Sequence, residues 1–112
     1  MRVRACEVAA LVPNRGIAVE AGGFRLAVFS VEGRVFALRD LCPHAGAPLS
    51  AGGAYLEEGI PVVVCPVHYW MFSLEDGRCP YHPAMQATAY AAQIEDGAVW
   101  VELPGQPTAG NT

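Results

Sequence analysis

Basic side chains and long apolar runs are both scarce in this chain of 112 residues. Only 7 Lys and Arg residues stand against 11 Asp and Glu, and the resulting net charge of −4 argues against nucleic-acid binding, which usually requires a basic patch. The longest apolar stretch, residues 60–67, is far too short to cross a bilayer and contains two prolines. No apolar segment of the signal-peptide kind precedes Pro13. We therefore expect a cytoplasmic protein that binds neither nucleic acid nor membranes.

The composition is nevertheless that of a folded protein. Hydrophobic residues make up 53% of the chain and charged residues only 16%, which is enough apolar material for a core. The length fits one small domain, and a domain of this size gains useful stability from a bound metal or cofactor. Twelve Gly and nine Pro residues predict many turns rather than long helices.

Short strands separated by glycine turns account for most of the chain. Gly22-Gly23, Glu32-Gly33 and Asp96-Gly97 are signals for tight hairpin turns. The predicted strands cover residues 2–8, 17–21, 24–31, 34–39, 62–65, 70–74, 88–95 and 98–103. In the strand 24–31, alternation predicts one apolar face and one mixed face. This pattern predicts an all-β domain of antiparallel hairpins.

Two irregular stretches, residues 40–61 and 78–87, interrupt the strands. The first is long for a structureless loop in a compact domain, and such loops are usually functional. Residues 104–112 have the composition of a frayed end. We predict one domain over residues 1–103 and a flexible C-terminal tail over residues 104–112.

Cysteine and histidine form two closely spaced pairs, each just after a predicted strand. The pairs are Cys42-Pro43-His44 and Cys65-Pro66-Val67-His68. Two thiolates and two imidazoles brought together make a metal site, and zinc is the generic occupant. A zinc-stabilised interaction module without redox function is therefore one hypothesis. The order Cys, His, Cys, His departs from usual zinc spacing and suits a binuclear cluster, to which each loop gives one Cys and one His.

The residues around these pairs carry a family resemblance. The segment CPHAGAPLS at residues 42–50 and the segment CPVHYWMFSLEDG at residues 65–77 resemble the two boxes of the Rieske [2Fe–2S] family. The similarity extends from about residue 3 to residue 103, and it includes Rieske-type ferredoxins and the small subunit of nitrite reductase. It implies an all-β, antiparallel Rieske-type fold, in which a small sandwich or barrel-like base carries a cluster-binding subdomain of two loops.

The resemblance also implies a cofactor and its ligands. One [2Fe–2S] cluster would be bound, with Cys42 and Cys65 on the buried iron and His44 and His68 on the outer iron. Two thiolates rather than four leave the oxidised cluster nearly neutral, so reduction potentials in this family span roughly −150 to +300 mV.

Four residues near the boxes predict a reduction potential low in that range. High-potential members carry an additional Cys in each loop, where this chain has Ala47 and Val67. They also carry hydroxyl donors to the cluster where this chain has Trp70 and Phe72, and fewer donors stabilise the reduced state less. We expect Trp70 and Phe72 to pack as an aromatic pair behind the cluster.

Electron transfer is the function that the resemblance implies. Single electrons would pass between a reductase and a terminal redox enzyme, so the partners would be a flavin reductase, a terminal oxidoreductase or both. A nitrite reductase small subunit and the ferredoxin of an aromatic-ring dioxygenase both fit, and residues 59–64 and 76–79 favour the first. A Rieske oxygenase is excluded because only His82 is left for the second iron site that such an enzyme needs. The chain would be a component of an oxidoreductase and not catalytic alone.

The remaining candidates are given no role in the chemistry. Cys6 and Cys79 are expected to be free thiols, since disulfides are rare in a cytoplasm. Glu57 and Glu58 are expected to form a solvated loop tip.

Overall fold

The computed structural model describes residues 1–67 and 69–105, and within them the chain is built from ten short strands and two 3₁₀ turns. The strands are β1 (Arg2–Glu7), β2 (Gly16–Ala21), β3 (Phe24–Val31), β4 (Arg34–Arg39), β5 (Ala54–Glu57), β6 (Ile60–Val64), β7 (Met71–Ser73), β8 (Ala89–Tyr90), β9 (Ala92–Glu95) and β10 (Ala98–Glu102). The 3₁₀ turns are Val8–Ala10 and Leu49–Ala51. In the part of the chain so described there is no helix long and apolar enough to cross a membrane.

The strands form three antiparallel sheets. Their orders are β1-β10-β9, β2-β3-β4-β8 and β5-β6-β7. The tight turns at Gly22-Gly23, Glu32-Gly33 and Asp96-Gly97 join neighbouring strands in register, as the sequence predicts. The predicted all-β antiparallel fold class is therefore confirmed.

Strand β3 separates two apolar cores. Leu26 and Val28 belong to the base core, whereas Ala27 and Phe29 belong to the loop core on the other face of the same strand. The base core consists of Leu26, Val28, Ala37, Val99, Val101 and Leu103. The loop core consists of Ala27, Phe29, Val31, Phe36, Leu38, Cys42, Leu49, Ala54, Val63, Cys65, Phe72, Leu74, Cys79 and Ala87. The face of β3 that looks mixed in sequence is thus buried from Ala27 onward.

Two segments differ from the prediction. The strand predicted over residues 88–95 is divided at Ala91, because β8 pairs with β4 while β9 pairs with β10 in another sheet. The stretch 40–61 is not structureless, since it contains the turn Leu49–Ala51 and the edge strand β5. Of β5 only Ala54 is buried, so its sequence carries little of the alternation that marks a strand.

The predicted boundary at residue 103 and the flexible tail stay predictions. Residues 106–112 lie outside the described residues.

Candidate metal centre

The first loop, residues 42–47, follows β4 and closes on itself through two backbone hydrogen bonds. The N–H of Gly46 donates to the carbonyl of Cys42 at 2.8 Å, and the N–H of Cys42 donates to the carbonyl of Ala47 at 2.8 Å. Gly46 has a φ of +70°, a left-handed conformation that glycine adopts without steric cost. Hydrogen bonds therefore fix both the N–H and the carbonyl of Cys42.

The second loop, residues 65–70, follows β6 and repeats this pattern. The N–H of Tyr69 donates to the carbonyl of Cys65 at 2.9 Å, and the N–H of Cys65 donates to the carbonyl of Trp70 at 2.7 Å. Tyr69 occupies the position of the glycine in the first loop and has a φ of +59°, which is uncommon for a bulky residue. The fold thus builds the same backbone cradle around each of the two cysteines.

A buried carboxylate fixes the ends of the first loop. Asp40 accepts hydrogen bonds from the N–H of Ser50 at 2.7 Å and from its hydroxyl at 2.8 Å. The Asp40 side chain is fully buried, and the guanidinium of Arg25 lies 3.9 Å from it. Because Asp40 precedes the loop and Ser50 follows it, this contact closes the loop at its base.

A close backbone contact brings the two loops together. A Cβ atom on Gly52 would overlap the carbonyl oxygen of Val64, so only glycine fits at this position. The N–H of Val64 also donates to the carbonyl of Gly53 at 2.9 Å. Since Val64 directly precedes Cys65, this contact places the exit of the first loop against the entry of the second.

The result is a pair of buried thiols in contact. Cys42 and Cys65 are both 0% exposed. Burial raises the pKa of the Cys42 thiol, the N–H groups of Ala45 and His44 oppose that rise, and the adjacent Cys65 thiol adds to it. Backbone N–H groups directed at a cysteine sulfur are among the contacts that tune a bound iron–sulfur cluster.

His44 lies in the first loop but packs against the second. It is half-buried, with its Nδ1 atom wholly buried, and its imidazole stacks on the indole of Trp70 with centroids 3.8 Å apart and planes 9° apart. Trp70 also stacks with His82, at 5.5 Å and 27°. Phe72 is fully buried in the loop core, whereas Trp70 packs at the edge of that core.

Of the four predicted ligands, the structure brings the thiols of Cys42 and Cys65 into contact and places His44 in the first loop, with its ring on Trp70 of the second. The fourth, His68, lies outside the described residues. Cys6 and Cys79 are free thiols, as expected.

Two residues at the site were not identified from sequence. In the sequence Asp40 only begins an irregular stretch, and its position directly after an apolar strand is a weak signal. The sequence assigns no role to His82, because nothing in the spacing of the third loop, residues 78–87, indicates the contact with Trp70 that the structure shows.

These residues fit a [2Fe–2S] cluster. Among residues 1–67 and 69–105, no three His, Cys, Asp or Glu side chains are grouped so as to hold a single metal ion. A binuclear cluster does not require such a group, because each iron takes two protein ligands. The thiols of Cys42 and Cys65 would supply the pair for one iron, and the imidazole of His44 in the first loop would supply a nitrogen ligand to the other.

Comparison with known proteins leads to the same family. A family model described as a Rieske-like [2Fe–2S] domain matches residues 2–102. The 3-phenylpropionate/cinnamic acid dioxygenase ferredoxin subunit of Escherichia coli K12 is 33% identical over 104 residues, which is 92% of this chain and 94% of that protein.

Solved structures agree with this match. The protein assigned as the NADH-dependent nitrite reductase small subunit of Mycobacterium tuberculosis superposes with a TM-score of 0.85 at 28% identity, covering 93% of this chain and 96% of that one. The ferredoxin of Sphingomonas yanoikuyae B1 superposes with a TM-score of 0.77 at 31% identity, covering 93% and 100%. The chain belongs to the family of Rieske-like [2Fe–2S] domain proteins.

Proposed function

We propose that the protein is an electron carrier that holds one [2Fe–2S] cluster through Cys42, His44, Cys65 and His68. The observation that supports this most is the pair of buried, touching thiols, each held by the same two backbone hydrogen bonds. When bound, the cluster supplies one-electron redox chemistry. The chain's own part is to hold the cluster rigidly, to direct N–H groups at its sulfur ligands and to keep water from its buried side.

Electron entry and exit are proposed at the end of the molecule where the loops meet. Large apolar side chains are exposed there: Leu41, Val67, Tyr69 and Tyr81 are 38%, 48%, 75% and 69% exposed. Such a surface suits brief contact with a protein redox partner, which typically buries a small area.

We propose a reduction potential in the lower part of the family range. Trp70 and Phe72 offer no hydroxyl to the cluster, and Ala47 and Val67 cannot form the inter-loop disulfide of high-potential members. A redox titration of the purified protein tests this, and a midpoint well above zero would contradict it.

The first experiment is anaerobic reconstitution with iron and sulfide. The expected product is red-brown, holds two irons and two acid-labile sulfides per chain, and gives an EPR spectrum with the low average g value of mixed His and Cys ligation. A colourless protein would refute the proposed function, and one that holds a single zinc ion would favour the zinc-stabilised module instead.

Two partner systems are candidates. Residues 59–64 and 76–79 favour a nitrite reductase, and the chain is similar both to a nitrite reductase small subunit and to a dioxygenase ferredoxin subunit. Anaerobic stopped-flow mixing of the protein with the reductase of each system would separate them, because the true donor should reduce it much faster. Slow reduction by both would exclude both assignments.

A further inference from the structure

A stack of three aromatic rings connects the three loops at the candidate centre. His44 belongs to the first loop, Trp70 to the second and His82 to the third. The contact between His44 and Trp70, at 3.8 Å and 9°, is close and nearly parallel. His82 is exposed, so the stack extends from the buried Nδ1 of His44 to the surface.

Trp70 is well placed to hold another side chain. Its carbonyl accepts the N–H of Cys65 at 2.7 Å, which anchors its backbone in the second loop. Its side chain reaches across to the first loop, where it covers one face of the His44 imidazole. Trp70 therefore couples the orientation of a first-loop ring to the backbone of the second loop.

The indole also has an electronic effect on a ring that it stacks against. The face of an aromatic ring carries partial negative charge, and indole is the strongest of the protein aromatics in this respect. An imidazole bound to iron is poorer in electrons when the iron is oxidised. Stacking on an indole would therefore stabilise the oxidised form more than the reduced form, and this would lower the reduction potential.

We propose that Trp70 is a positioning residue for His44, orienting its imidazole toward the outer iron and lowering the reduction potential of the cluster. The proposal rests on the function proposed above, since it takes His44 as an iron ligand.

The test compares reconstituted wild-type protein with Trp70→Leu and Trp70→Met, which remove the ring but keep an apolar side chain. Both variants should have a raised midpoint, equivalent to about a two- to tenfold change in the one-electron equilibrium constant, or at most about 59 mV. Their EPR g values should also change, because the imidazole plane is no longer held. Trp70→Phe keeps a ring with a weaker field, so its midpoint should lie between those of the wild type and the ring-free variants.

Trp100→Leu is the matched control. Trp100 is also partly buried, but it lies in β10 against the Arg2 guanidinium, so its truncation should lower stability and leave the midpoint and the g values unchanged. A merely structural role for Trp70 would give the same result as this control, and that result would overturn the proposal.

Two other outcomes are also decisive. Should neither ring-free variant retain the cluster, Trp70→Phe decides alone, and a midpoint equal to that of the wild type would overturn the proposal. A wild-type protein that binds no cluster at all would instead refute the proposed function, so the two failures are distinguishable.

Discussion

The first and second loops share one backbone and differ in side chains. Each holds its cysteine by an N–H and a carbonyl contact of the same pattern, at 2.7 to 2.9 Å. At the two positions that complete the pattern, the first loop has Gly46 and Ala47, whereas the second has Tyr69 and Trp70. The backbone pattern thus places the cysteines in both loops. At the two compared positions, only the second loop supplies aromatic side chains.

The two loops also differ in backbone strain, which is present in the second loop and absent from the first. Gly46 takes its left-handed φ freely, while Tyr69 takes nearly the same φ against its Cβ. With 75% of its surface exposed, Tyr69 gains little from burial in return. We infer that the second loop gives up some stability to present an aromatic side chain beside the centre.

The largest expected effect comes from removing either thiol. Cys42→Ser and Cys65→Ser should each cause near-complete loss of bound iron and sulfide, because in the proposed ligand set each loop supplies one sulfur ligand to the same iron. Cys79→Ser is the matched control, since Cys79 is also buried in the loop core and should not be required. Iron and sulfide analysis checks this, and equal loss in all three variants would refute the ligand assignment.

A smaller effect is expected where the two loops meet. Gly52→Ala should destabilise the protein by about 3 kcal/mol, the upper end for overpacking, because the backbone carbonyl of Val64 cannot swing aside. Gly53→Ala has open space around its Cβ and should be nearly neutral. Urea unfolding of the two variants measures the difference. Similar midpoints would show that the close contact at Gly52 does not hold the loops together.

The next largest effect is expected at the base of the first loop, where Ser50 donates two hydrogen bonds to Asp40 (the Asp40 and Ser50 clamp). Asp40→Ala should cost about 2 kcal/mol, because two hydrogen bonds from Ser50 to a charged group are lost. The cluster should also be released faster, since the first loop loses its closure. Glu95→Ala, which removes an exposed ion pair with Arg2, should cost less than about 1 kcal/mol and leave cluster release unchanged. Equal effects of the two variants would exclude a special role for Asp40.

The smallest expected effect is a gain in stability. Tyr69→Gly makes the second loop resemble the first, and it should stabilise the protein by about 0.5–1 kcal/mol because the left-handed strain is removed. The reverse change in the first loop, Gly46→Ala, should destabilise by a similar amount. Thermal unfolding measures both, and a destabilising Tyr69→Gly would mean that the tyrosine contributes more through contacts than it costs in strain.

Much of the fold could be predicted because its signals are local. The hairpins of β2, β3 and β4 follow from the turn residues between them, and the same holds for β9 and β10. The break at Ala91 and the edge strand β5 could not be predicted, since each depends on which sheet the chain joins. Propensity does not carry that information.

The sequence by itself determined the residue types and spacing of the two boxes, the tight turns and the supply of apolar residues for a core. Only the tertiary structure decided which of these groups meet. The contact of Gly52 with Val64, the Asp40 and Ser50 clamp and the stack of His44 on Trp70 each join segments that lie apart in the chain. Such contacts depend on the packing of both loops against the face of β3 in the loop core, and no local pattern of residues encodes that packing.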